Sequence, residues 1–107
     1  MKIIYNNIIP PKGYKAVTVL NCIFARKGTE MYAIDIQHEA IHWAQEKELL
    51  IIGFYLLYLI ELLVRLALTR NWHKAYREIS FEREAYENEL NARYLDSRKH
   101  YCWTKYF

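Results

Sequence analysis

Residues 35–48 read Asp-Ile-Gln-His-Glu-Ala-Ile-His-Trp-Ala-Gln-Glu-Lys-Glu, and the rest of the chain is best read outward from them. The stretch has no proline or glycine, and its residue types favour a helix with Asp35 as candidate N-cap. On a helix, side chains four apart stand one above the other on one face, ~5.4 Å along the axis. His38 and His42 are so placed, and both imidazoles can direct a nitrogen at a single Zn²⁺ with bonds of ~2.0–2.1 Å. Glu39 projects in a neighbouring direction, where it would not ligate but could reach a water on the metal. Zn²⁺ acidifies such a water, so Glu39 is the candidate catalytic base. The pattern arises by chance on the order of once in a hundred chains of this composition. The plain alternative is a pair of half-buried histidines on an ordinary amphipathic helix.

Upstream, residues 1–28 look extended. Ile3-Ile4-Tyr5 and Ile8-Ile9 precede a turn at Pro10-Pro11-Lys12-Gly13. Residues 14–25, rich in β-branched and aromatic types, then read as one strand. A sheet of two or three strands is expected. Downstream of residue 30 there is no proline and a single glycine, Gly53, so a long helical stretch must fold back on itself. The apolar run 49–68 reads as a second helix, broken at Thr69-Arg70-Asn71. A third begins near Trp72, with Ser80 as a candidate N-cap dividing it and the continuation running to about 95. The fold class is α+β in a single domain, a small N-terminal sheet followed by about three helices.

A catalytic zinc site takes three protein ligands and an open fourth position. His73 and His100 are candidates for the third, but Glu82 is better placed. At about 100° per residue it falls between Ala85 and Tyr86 on a partly apolar face, where a carboxylate needs a cation to offset desolvation. Small Ala85 lets this helix approach the histidine helix closely. Glu84, more than a quarter-turn away, is the alternative ligand, and a salt-bridged Glu82 is the plain reading. Gln45 can hold the outer nitrogen of His42 or a nearby backbone group. Tyr86, His100 and Tyr101 are candidate donors to a transition-state oxyanion.

His-Glu-x-x-His followed by Glu82-x-x-Ala85 resembles the gluzincin pattern of metallopeptidases. More closely, residues 38–45, Glu48-Leu49-Leu50, Phe54-Tyr55 and Ala75-Tyr76-Arg77 through Phe81–Tyr86 are similar to short, uncharacterised zincin-like proteins of Bacteroidetes-type bacteria. The resemblance spans about residues 38–95. It implies a minimal zincin core and a zinc-dependent metallopeptidase acting on a peptide or protein, without the second lobe that forms the cleft of larger zincins.

The chain of 107 residues carries 15 basic and 12 acidic side chains. Both signs are mixed along it, so no nucleic-acid partner is expected. Two separated cysteines, Cys22 and Cys102, make no disulfide framework, and the N-terminus does not read as a signal peptide. A reducing, cytoplasmic setting is expected. The run 49–68 is long enough to span a bilayer but holds Glu61 and Arg65, which can pair at i,i+4. Burial between the other helices and the sheet is the expectation, with membrane association as second reading. A non-catalytic zinc-binding structural or interaction protein is the alternative to the hydrolase.

Overall fold

The computed structural model describes residues 1–11 and 13–107. An N-terminal three-stranded sheet is followed by helices, the α+β architecture expected. The strands are β1 (Lys2–Asn6), β2 (Ala16–Val19) and β3 (Cys22–Arg26), ordered β1-β3-β2. Central β3 pairs in parallel with β1, Ile3 opposite Ile23, and antiparallel with β2, Val17 opposite Phe24. The single strand read over 14–25 is thus a hairpin. Leu20, at φ 56°, starts a reversal with no glycine or proline to announce it. The turn expected at 10–13 includes Lys12, which lies outside the described residues.

The helices are α1 (Ala33–Glu48), α2 (Ile52–Thr69), α3 (Trp72–Glu78), α4 (Ser80–Asn88) and the single turn α5 (Tyr94–Ser97), with a 3-10 segment at Cys102–Tyr106. The helical part is therefore more divided than the three helices expected. The expected break at Ser80 is real, although Ile79 is the capping residue and Ser80 opens α4. Asp35 is not the N-cap of α1. It sits three residues after the capping Tyr32 and accepts its N–H at 3.0 Å, the acidic half of a capping box. Asn71 caps α3 by accepting the Lys74 N–H at 3.1 Å.

The α1–α2 connection falls at Leu49–Ile51, later than the sequence suggested. Leu50 and Ile51 both adopt positive φ, 56° and 68°. That is unfavourable for non-glycine residues, and for a β-branched one above all. The reversal lets α2 return alongside α1. Its centre is an aromatic core in which Phe81 lies 4.7 Å, ring to ring, from both Phe54 and Trp103. Trp103 anchors the C-terminal tail against the body. Arg98 pins the same region by ion pairs to Glu48 and Glu84.

One expectation is overturned. Residues 49–68 do not form a buried central helix: of the 18 residues of α2, only Phe54 is buried. The reason is geometric. Only one side of α2 meets α1, α3 and the aromatic core, and a three-stranded sheet is too small to cover the other.

Candidate metal centre

The site is built between α1 and α4. Ala85 and Ile41, both fully buried, stand on these two helices where they pack. Small Ala85 permits close approach, so Glu82, one turn earlier, faces the histidine edge of α1. Glu82 Oε1 lies 3.1 Å from His38 Nε2 and 3.1 Å from His42 Nε2, and the two Nε2 atoms are 3.2 Å apart. All three residues are buried.

This near-equilateral triangle is close to the size that a metal would set. Donors ~2.0–2.1 Å from a common tetrahedral centre lie ~3.3–3.4 Å from one another. The hydrogen bonds on the far sides of the rings supply a second argument. The Gln45 amide nitrogen donates to the Phe81 carbonyl at 3.0 Å and to Glu84 Oε1 at 2.9 Å. Both are acceptors, so the Gln45 oxygen is the atom 2.8 Å from His42 Nδ1, and that nitrogen must carry the hydrogen. His38 Nδ1 faces the Glu89 carboxylate at 2.7 Å and carries a hydrogen for the same reason. When neutral, each imidazole therefore presents an Nε2 lone pair, beside a carboxylate oxygen. Three lone pairs converging in a buried space need positive charge between them, which a proton or a metal ion can supply.

The acid–base balance expresses the same demand. Burial pulls the His42 imidazole down, but the charge and hydrogen bond of Glu82 outweigh it and hold it up at about 10. Burial raises Glu82, but the His42 charge and the two imidazole hydrogen bonds bring it below the usual carboxylate range.

His38, Glu39 and His42 form a group that could hold a metal ion, with ligand atoms within 4.8 Å of one another. Glu82 is nevertheless nearer than Glu39, whose Oε2 stands 4.0 Å from His38 Nε2. Glu39 is also held from behind, because the Thr18 hydroxyl on β2 donates to its Oε1 at 2.8 Å. The tightest set is His38, His42 and Glu82, with Glu39 beside it.

No family model matches the chain, and no curated protein or solved structure matches it either. The site must be judged on its own chemistry.

The other sequence candidates lie elsewhere. Glu84 is fully buried but bound to Gln45, Tyr94 and Arg98, and it is Glu82 that meets the two imidazole Nε2 atoms. His73 stacks near Tyr14, and His100 is exposed beside Glu48. Glu61 accepts the Ser80 N–H at 2.6 Å and its hydroxyl at 2.7 Å, so it fixes the start of the Glu82 helix. Gln45 makes both of the bonds considered for it, to His42 and to a backbone carbonyl. Of the candidate oxyanion donors, Tyr86 packs its ring 4.4 Å from that of His38, while Tyr101 bonds to Glu48.

Sequence reasoning missed Thr18, Tyr58, Tyr76 and Glu89. Tyr58 donates to Glu82 Oε2 at 2.7 Å, and Tyr76 pairs its hydroxyl with that of Tyr86 at 3.3 Å. Burial first, and the Glu82 charge second, raise Tyr76 well above a normal phenol, so it stays protonated and able to donate. None of these residues has a local sequence signal, because each reaches the centre from a different element.

Two cavities meet at Glu39 and Tyr76. One, of about 350 Å³, is walled by Val17, Phe54, Tyr58, Leu62 and Trp72 and has His42 and Glu82 at its base. The other, of about 420 Å³, is polar and is lined by Lys15, Asp35, His38, Arg77 and Glu89.

Proposed function

We propose that the chain is a zinc-dependent hydrolase of peptide bonds, with His38, His42 and Glu82 as metal ligands and Glu39 as general base. The observation that carries this reading is the convergence of three lone-pair donors at 3.1–3.2 Å beside a fourth carboxylate that is not needed as a ligand. A bound Zn²⁺ supplies Lewis acidity, polarising a carbonyl and making water acidic enough for a carboxylate to deprotonate.

The chain's residues do the rest. Thr18 occupies Glu39 Oε1 and leaves Oε2, on the histidine side, as the proton acceptor. Glu39 takes a proton from water as its oxygen bonds to the scissile carbon. As the C–N bond breaks, Glu39 returns that proton to the leaving amine. The Tyr76 and Tyr86 hydroxyls, on the wall shared with Glu39, are the donors available to the developing oxyanion. Gln45 and Glu89 keep the imidazoles in the tautomer that offers Nε2. The cavities on either side of Glu39 can seat the two sides of a substrate chain, an apolar side chain in the first.

The test begins with metal content. Protein purified without chelator should carry about one zinc per chain, lost in His42→Ala and in Glu82→Ala. Glu39→Gln should keep the zinc and lose peptide hydrolysis by ~10²–10⁴-fold. A Glu39→Gln protein that hydrolysed as fast as wild type would remove the catalytic assignment. The centre would then be a structural clamp of α1 to α4.

A further inference from the structure

We infer that α2 is a membrane-seating helix, lying in the plane of an anionic bilayer with its outward apolar face in the lipid. The inference is independent of the hydrolase reading.

Setting Ile52 at zero and advancing about 100° per residue, the exposed side chains sort onto one side. Ile52, Leu56, Leu59, Ile60, Leu63 and Val64 are each 51–72% exposed, and Leu57 and Leu68 extend the face. Together they cover about half of the helix circumference. No charge interrupts that arc. The two charges of α2 turn the other way: Glu61 caps α4 through Ser80, and Arg65 lies 3.9 Å from Glu61.

A contiguous apolar surface of this extent is rare on a soluble monomer. An arc half the circumference wide also exceeds the narrow seam that a partner helix covers in a coiled coil. Lipid covers such an arc whole. Spanning would draw the body that caps and packs the inner face into the hydrocarbon, so the in-plane arrangement is the one that fits.

Charge identifies the kind of surface. From Leu62 to Arg77 the chain holds Arg65, Arg70, Lys74 and Arg77 and no acidic residue. Arg70 is exposed at the C-terminal end of α2, Lys74 and Arg77 are exposed on the α3 helix that follows, Arg77 over the Tyr86 ring, and Lys47 is exposed before the N-terminal end of α2. Trp72, 57% exposed among these bases, has the amphipathic ring that favours the headgroup level. Basic side chains beside an apolar face draw it to anionic lipid, each contributing modestly within a Debye length. Phe54, Tyr58 and Leu62, on the opposite side of α2 from this arc, line the apolar cavity beside His42 and Glu82, so the seated face is distinct from that cavity.

The experiment is flotation of the full chain with vesicles of phosphatidylcholine containing about one third phosphatidylglycerol, against phosphatidylcholine alone. Wild type should float with the mixed vesicles and bind the neutral ones at least tenfold more weakly. Leu59→Glu combined with Leu63→Glu should weaken binding to the mixed vesicles at least tenfold, with unchanged helix content by circular dichroism. Should that variant misfold, Arg70→Glu with Lys74→Glu lies outside the core and should weaken binding to the mixed vesicles at least tenfold. Wild type that stays at the bottom of the gradient would overturn the inference. So would a stable dimer in solution that ignores vesicles, or a chain with α2 protected from protease as a spanning segment.

Discussion

Helices α1 and α2 run side by side and invert the usual rule of burial. Of the 16 residues of α1, those buried are His38, Glu39, Ile41, His42, Gln45 and Glu46, five polar or ionisable and one apolar. Of the 18 residues of the far more apolar α2, one is buried. Composition does not decide which helix goes inside. A polar face can be buried when every group on it meets a partner, and an apolar face can stay outside when the layer that would cover it is missing. The polar interior of α1 therefore depends on its partners, Glu82, Glu84, Thr18 and Arg98, and on the cation proposed between His38, His42 and Glu82.

The sharpest way to break the comparison is to remove that cation. His42→Ala should abolish stoichiometric zinc binding, and chelator should lower the melting temperature of wild type but leave the variant unmoved. Metal analysis and calorimetry read both. Equal chelator effects on the two proteins would detach the buried histidines from metal altogether.

Next in size is the ion pair behind the centre. Arg98 donates to Glu84 at 3.0 Å and to Glu48 at 2.9 and 3.0 Å. Burial raises Glu84, but the Arg98 hydrogen bonds overcome it and keep the carboxyl below its ordinary range. Arg98→Met leaves both carboxylates buried and uncompensated, which should cost ~3–5 kcal/mol in urea unfolding. A cost below ~1 kcal/mol would mean that water reaches the pair.

Glu46 sharpens the comparison from the other side, as the member of the polar face that is not fully partnered. Its Oε1 accepts from Leu20 N and Tyr55 Oη, but Oε2 has no partner among the described residues. Burial, only partly offset by those bonds, pushes its pKa up to about 7. The folded state therefore holds a proton that the unfolded chain releases. Stability from this group is intact below the ordinary pKa of 4.5 and falls as pH rises towards 7, by up to ~1.4 kcal/mol per pH unit. Glu46→Gln should flatten that slope in denaturant titrations between pH 5 and 7. The slope is the proper readout, because the amide nitrogen inherits the unpartnered position. An unchanged slope would place the titration elsewhere.

The smallest expected effect is at Tyr58, through which α2 contributes a hydroxyl to the α1–α4 centre. Tyr58→Phe should weaken zinc affinity by ~10–100-fold without eliminating it, since outer partners orient ligands and do not replace them. Competition with a fluorescent chelator measures this. An unchanged affinity would show that Glu82 is held by its helix alone.

The parts legible in the sequence were those governed by local spacing. His38, Glu39 and His42 were readable because four residues make one helical turn. Glu82 was readable because it projects between Ala85 and Tyr86, on a partly apolar face. The strand of residues 14–25 was misjudged because Leu20-Asn21 reverses without glycine. The α1–α2 turn was placed early because Leu50 and Ile51 adopt a positive φ that their residue types do not announce.

The sequence by itself determined the α+β order, the helix that presents two imidazoles, and the carboxylate that meets them. It did so because periodicity depends only on neighbouring residues. Tertiary structure alone decided that Thr18 holds Glu39, that Tyr58 and Glu89 hold Glu82 and His38, and that Glu84 belongs to Arg98. It also decided which face of α2 remains uncovered. Those outcomes depend on which distant elements arrive at a face, and hydrophobicity along the chain carries no record of how many layers there will be to cover it.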